Sequence, residues 1–317
     1  MSAVLFSGAV KEIGPQSKSG TLFTRRMRFH QSWYRAHVLD LEYGTGPYPT
    51  SAGYLGNMLR PEEAESGKNF LTPEIHALVN KRVRENPTKV DRFRVLHNML
   101  SSQPMCFNIF GPLVNDAELA TVLARALFGE QVRSVTRVVI EWAPEPAVDY
   151  LDDNTSFDAF IEYELAEGGL GFAGIETKLT EPFSQKLYDG PAYRRWMGTG
   201  SPWKDDATEF VAAVKHNQLW RNHLLVWSML QRAGSPYREG RVVVVRHPLD
   251  TKCADIVGGY GALLRDEATF VDAPLDDLVA AWRAVMSDGG AWLEQFQHRY
   301  LELGESESAW RDYRAAR

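Results

Sequence analysis

At 317 residues the chain sits near the ~250–300 residues where a single hydrophobic core stops growing, so one main domain with a substantial extension, or two unequal domains, is expected. Hydrophobic residues are 44% and charged residues 24%, ordinary globular values that exclude a disordered, collagen-like or coiled-coil chain. A net charge of −6 argues against a general polyanion binder, yet residues 1–100 carry 14 Lys/Arg against 9 Asp/Glu, a local excess of +5.

Residues 1–60 are rich in Gly, Pro, Tyr and Arg and predict one helix, Phe23 to about Leu41, with Glu42–Met58 as loop. Thr72, Pro73 and Glu74 form a helix start, and Asn86–Pro87 stops that helix after Glu85. A further helix is expected from Val90 to Ser101, with Pro104 ending the region. Asn115–Asp116 cap a helix, Ala117–Phe128, closed by Gly129. Val135–Trp142, Phe157–Glu164 and Gly171–Thr180 read as strands, the last two joined through Gly168 and Gly169. A long helix follows from Ala207 to Gln231. The four valines Val242–Val245 then mark a strand buried on both faces. Gly258-Gly259-Tyr260-Gly261 reads as a turn, and Leu275–Met286 and Ala291–Leu303 as two tail helices. The order from residue 116 is helix, three strands, helix, strand. That is an α/β layer arrangement with a mixed sheet.

Chemistry concentrates in Ser156-Phe157-Asp158 through Glu176-Thr177-Lys178. Glu176 and Lys178 share a strand face, and a turn centred on 167–168 sets Asp158 opposite one or the other. Either register gathers two carboxylates and an ammonium. The plainer reading is a solvated cross-strand ion pair, but Phe172, Gly174 and Ile175 belong to an interior strand. Close carboxylates repel, and a divalent cation between them is the natural resolution. On the next helix Val211, Val214, Leu225 and Met229 mark an apolar stripe interrupted by Gln218 and Arg221. Those two either reach the charged site or a substrate phosphate, or escape to solvent at the helix edge.

Asp158, then Glu176-Thr177-Lys178 after seventeen residues, then a helix carrying Gln218-Leu219-Trp220-Arg221, resembles the PD-(D/E)XK nuclease superfamily. The chain looks closest to bacterial restriction-endonuclease-like proteins. Ser102-Gln103-Pro104-Met105-Cys106-Phe107-Asn108 and Glu176-Thr177-Lys178-Leu179-Thr180-Glu181-Pro182-Phe183-Ser184 support this closer likeness. Phe157 stands before Asp158 where a proline is often found.

The resemblance implies a restriction-endonuclease-like αβββαβ core, with a mixed central sheet flanked by helices, over residues 105–250. A mainly helical N-terminal extension, 1–104, and C-terminal helices, 251–317, would complete the fold. It implies Mg²⁺, with Mn²⁺ as substitute, on Asp158, Glu176 and the Thr177 carbonyl. Lys178 would orient or deprotonate the attacking water or hold phosphate charge, and Gln218 would steady the site. Arg221 could reach a phosphate, with Arg194 and Arg195 as further candidates. Glu118 and Glu141 are candidate outer ligands, although a first-turn Glu118 more simply favours the helix dipole.

DNA is the expected partner, a homodimer is allowed for, and no membrane is involved, since no apolar run approaches ~18 residues. Met1–Gly14 lacks a basic start and apolar core, so no secretory leader is expected. Cys106 and Cys253 read as reduced, buried thiols of a cytoplasmic protein. Arg25, Arg26 and Arg28, and Lys81, Arg82 and Arg84, are basic clusters that could grip a phosphate backbone. The loop Asp189–Asp205, with Trp196 and Trp203, could stack on bases. His216 and His223 lack acidic partners at metal-ligand spacing. HExxH, GxSxG and P-loop motifs are missing, which removes zinc protease, α/β-hydrolase and Walker-type ATPase readings. A catalytically silent nucleic-acid-binding module and an RNA-directed nuclease remain as alternatives.

Overall fold

The computed structural model describes residues 12–46, 53–198, 200–207, 209, 211–286 and 290–316. Residues 1–11, most of the stretch read for a leader, lie outside these, as do residues 47–52 of the expected Gly/Pro-rich loop. The N-terminal third runs α1 (Leu22–His37), β1 (Tyr43–Thr45), β2 (Tyr54–Leu59), α2 (Pro61–Glu65), α3 (Pro73–Glu85), α4 (Arg92–His97) and α5 (Ser102–Phe110). The middle runs α6 (Ala117–Phe128), β3 (Val132–Trp142), β4 (Phe157–Leu165), β5 (Leu170–Lys178), α7 (Pro191–Arg194), α8 (Asn217–Gln231) and β6 (Tyr237–Arg246). It ends with α9 (Thr251–Gly261), β7 (Phe270–Pro274), α10 (Leu275–Val285), α11 (Ala291–Tyr300) and α12 (Glu307–Ala315). The chain forms two compact units, Met1–Ile109 with Asp288–Arg317, and Phe110–Ser287.

The second unit is built on a five-stranded sheet in the order β3-β4-β5-β6-β7. The first three strands are antiparallel neighbours, and β5–β6 and β6–β7 are parallel, so the sheet is mixed as expected. Val242–Val245 are all buried in β6, between β5 and β7. Gly168 and Gly169 make the β4–β5 turn at φ +84° and +92°, a region that favours glycine. The helices flank the sheet. Phe128 of α6 stacks on Tyr163 at 5.7 Å, while Leu219, Leu225 and Met229 of α8 join Phe160, Phe172 and Val244 in one core.

Local signals placed several helices well. Thr72 accepts a hydrogen bond from the Ile75 N–H and Pro73 opens α3; Asp116 accepts from the Leu119 N–H and Gly129 follows α6. Other readings are corrected. The expected loop Glu42–Met58 contains β1 and part of β2, paired antiparallel. Its glycines are close-approach residues rather than loop markers. A Cβ on Gly44 would lie 2.4 Å from the Leu59 carbonyl oxygen, and one on Gly56 2.3 Å from that of Ile13. The helix expected over Val90–Ser101 is only α4, because Asn98 bridges to Met58. Pro104 lies in the first turn of α5 rather than ending a helix, a position where no intrahelical donor is needed. Gly258-Gly259-Tyr260-Gly261 is helical, within α9. Tyr260 is fully buried there and its hydroxyl accepts from Trp203 Nε1, so packing overrides the glycine cost. Strand β7 and helix α12 went unforeseen.

In the first unit the two ends of the chain are joined by buried polar bonds. Arg299 donates to Gln31 Oε1 and to both the backbone and side-chain oxygens of Asn69, and Gln31 donates to the Arg299 carbonyl. Cys106 and Cys253 are buried free thiols. Among the described residues, no helix is long and apolar enough to cross a membrane.

His30 in the first unit and His223 in the second are neutral imidazoles packed in the core. His30 meets Ser306 Oγ and the Arg299 carbonyl, and His223 meets Tyr260 and Thr269 hydroxyls. Burial pushes both down to about 3, helped at His30 by the nearby Arg26 charge. Unfolded histidine titrates near 6.5, so between ~6.5 and 3 the unfolded chain binds the extra protons and stability falls as pH falls. Denaturant melts from pH 7 to 4 should therefore show acid destabilisation whose slope drops, by up to one proton, in His223→Gln. An unchanged slope would show that His223 is already protonated in the fold.

Candidate active site

Three neighbouring strands each bring one carboxylate to the same level of the sheet. The pairs Ile140↔Ala159 and Trp142↔Phe157 set Glu141 of β3 opposite Asp158 of β4. The pair Ala159↔Ile175 makes Asp158 and Glu176 the next pair out on β4 and β5. Opposed residues share a face, so the earlier of the two expected registers is the one adopted. Glu141 is reached through a left-handed backbone at φ +56°, a strained conformation for a residue with a Cβ. Gly174, between Phe172 and Glu176 on β5, leaves room for the Phe157 ring, 2.4 Å from where a Cβ would stand.

Glu176 is 4% exposed and Lys178 7%. Lys178 Nζ lies 2.8 Å from Glu176 Oε1. Helix α8 supplies the remaining partners: Gln218 Nε2 donates to Glu176 Oε1 at 2.6 Å, and Asn222 Nδ2 to Glu176 Oε2 at 2.8 Å. Gln218 Oε1 accepts from the Ser184 N–H at 2.8 Å and faces Lys178 Nζ at 3.4 Å. Asp158 Oδ2 accepts from both the N–H and the hydroxyl of Thr177, each at 2.7 Å.

The electrostatics follow from this crowding. Burial raises Asp158 well above the ordinary carboxylate range, and the charges of Glu176 and then Glu141 raise it further; Lys178 offsets only part. Burial alone would lower Lys178, but Glu176 beside it holds the ammonium above its ordinary value. In this arrangement Lys178 is a charged donor, stacked over the Phe183 ring at 4.9 Å.

The structure thus brings together Asp158, Glu176, Lys178, Gln218 and Glu141. Asn222 was not singled out, although it stands four residues after Gln218 and so shares its helix face. Arg221 takes another direction, its guanidinium over Tyr188 at 4.2 Å. Arg194 is paired with Asp189 and lies over Trp220, and Arg195 donates to the Val148 and Tyr150 carbonyls. Glu118 is exposed in the first turn of α6, where a carboxylate favours the helix dipole.

Helix α8 begins at Asn217, ten residues later than the start expected at Ala207. Asn217 is engaged in side-chain bonds with both backbone groups of Tyr188 and with the Ala212 carbonyl, which ties the preceding loop to the helix start. Trp203 is not free to stack on a base, being 1% exposed in the core, and Trp196 Nε1 donates to the Tyr150 carbonyl. Of the basic cluster, Arg26 and Arg28 are each 9% exposed and structural. Arg26 bonds Ser306 and Glu307, and Arg28 bonds the carbonyls of Ser17 and Ser19. Lys81 and Arg82 both pair with Glu85.

A family model described as the PD-(D/E)XK nuclease superfamily matches residues 18–302. The chain belongs to that superfamily. No curated protein and no solved structure matches it. Members of the superfamily are generally nucleases that typically use divalent metals. The carboxylates gathered at this site suit such an ion. Three largely buried carboxylates face one ammonium, and the excess negative charge resides on hard oxygen donors.

Because the Asp158 carboxyl is raised, the folded protein binds its proton more tightly than the unfolded chain, whose carboxyl titrates near 3.9. Metal-free stability should fall as pH rises through that window. In EDTA, Asp158→Asn should flatten this fall and raise Tm at neutral pH. Lys178→Met, which leaves the carboxylates uncompensated, should cost roughly 3–5 kcal/mol. Thermal melts from pH 4 to 8 check both, and the opposite order of the two variants would refute the repulsion.

Proposed function

We propose that this protein is a divalent-metal-dependent endonuclease that hydrolyses phosphodiester bonds of DNA in the cytoplasm. The observation that carries the reading is the row Glu141, Asp158 and Glu176 on three adjacent strands, with Lys178 beside it. Mg²⁺, or Mn²⁺ in its place, would be held by Asp158, Glu176 and the Thr177 carbonyl, with Glu141 as an outer carboxylate. The chemistry such an ion supplies when bound is positive charge for the scissile phosphate and a more acidic water. Lys178, an ammonium aligned by Glu176, donates to a phosphate oxygen as charge develops there. Gln218 and Asn222 hold both oxygens of Glu176 in place, so that the carboxylate cannot swing out of register. Arg221, packed on Tyr188 beside the α8 start, is the side chain assigned to an adjoining phosphate. Buried free thiols support a reducing compartment.

Plasmid DNA should be cut with Mg²⁺ and left intact in EDTA. Lys178→Met should lower cleavage by about 10²-fold or more, the usual scale for losing a group that handles proton or charge in the transition state, while a Mg²⁺-dependent rise in Tm survives. Asp158→Ala should lose cleavage and the Mg²⁺-dependent rise together. Wild-type cutting by Lys178→Met would remove Lys178 from the chemistry, and a wild type that never cuts plasmid with Mg²⁺ would leave only a nucleic-acid-binding module on a nuclease fold. Preferential cutting of RNA in a parallel assay would replace DNA as the substrate.

A further inference from the structure

The first unit contains a cavity lined by Gln16, Ser17, Lys18, Leu22, Arg25, Trp310, Tyr313 and Arg314. Three of these are cations and none is a carboxylate. Lys18, Arg25 and Arg314 are all exposed, and none makes an ion pair with a described residue. This contrasts with Arg26 and Arg28 in the same unit, which are buried and bonded. Like charges gathered without a counter-charge repel one another, and an anion relieves that repulsion.

The walls are held in place. Arg28 Nη1 donates to the carbonyls of Ser17 and Ser19, each at 3.0 Å, so the segment carrying Lys18 is tied to α1. Gln16 Nε2 donates to Ser32 Oγ at 2.9 Å. Trp310 and Tyr313 stack on each other at 5.7 Å and both pack on Phe29, forming an apolar wall that Arg314 overlies. The cavity also adjoins the first turn of α1, a 16-residue helix with no acidic residue in that turn. Its aligned peptide dipoles add to the positive potential.

The cavity measures about 180 Å³, below the roughly 300–1,000 Å³ that encloses a whole drug-sized ligand. It therefore suits one part of a larger molecule. We infer that this cavity binds a backbone phosphate of a nucleic-acid strand, with Lys18, Arg25 and Arg314 around the phosphate and the attached nucleoside against the Trp310–Tyr313 wall. The inference rests on the nucleic-acid part of the proposed function and not on catalysis.

The test measures binding without cleavage. Anisotropy of a labelled DNA oligonucleotide in EDTA is followed across salt for the wild type, for Lys18→Gln/Arg25→Gln/Arg314→Gln and for Arg92→Gln, an exposed arginine of the same unit that pairs with Glu65 and does not line the cavity. The exposed triple substitution should weaken binding at least about tenfold and lower the salt slope by about 1 for each cation that holds a phosphate. Arg92→Gln should keep the wild-type affinity and slope. Equal affinity and slope for the triple variant and the wild type would overturn the inference, as would a wild type that binds no oligonucleotide. So would loss, in the triple variant, of binding to anionic phospholipid vesicles with oligonucleotide affinity unchanged, since the cavity would then serve a membrane. If the triple variant behaves as expected but plasmid is never cut, the nuclease reading fails and this one stands.

Discussion

Mutual repulsion among Glu141, Asp158 and Glu176 is the constraint around which the second unit is organised. Left alone, three carboxylates on adjacent strands would be relieved by protonation, by solvent entry or by separation of the strands. Here separation is prevented by the pairing of β3, β4 and β5 and by the apolar core of Phe160, Phe172 and Val244 on the same face. What remains is a raised Asp158 carboxyl and an ammonium held firmly charged. Both are properties of a site prepared for positive charge, because burial makes any imbalance costly.

Helix α8 answers to that constraint in a specific way. A helix covering a sheet would ordinarily turn an unbroken apolar stripe toward it. Instead Gln218 and Asn222, one turn apart, interrupt the stripe beside Glu176 and give each of its oxygens a neutral donor. Neutral amides orient a carboxylate without cancelling its charge, so the negative potential of the row survives. Leu219, Leu225 and Met229 on either side are buried and anchor the helix, which allows the amides to be fixed without strong ion pairs.

Much of this was legible before the fold. Asp158, Glu176 and Lys178 were readable because a strand's period of two and a short glycine turn limit the hairpin to two registers. Both registers gather the same charges. Gln218 was readable as a polar break in an apolar stripe. Asn222 was not, since one amide among several on a mixed helix looks like surface until its partner is known. Glu141 was ambiguous because its approach depends on a left-handed backbone that no residue pattern announces. The glycines of β1 and β2 and those of α9 misled in the same way. Glycine reports freedom or close approach, and only tertiary contact distinguishes the two.

The arginines carry a related lesson about charge. The positive excess of the N-terminal third suggested a surface for phosphates, yet Arg26, Arg28 and Arg35 are buried and donate to backbone carbonyls. A guanidinium has five donors in a fixed fork, so it can satisfy several inward-facing carbonyls at once. Such arginines add to a count of charge while contributing little to the outer field. The field that a phosphate meets is set by cations left at the surface without a counter-charge. In this unit Lys18, Arg25 and Arg314 are three of these, and they line one cavity. Of the basic cluster named from the sequence, Arg26 and Arg28 are taken up by the fold and Arg25 stays exposed, while Arg314 comes from the far end of the chain. Burial decides which cations hold the fold together and which are available to a ligand.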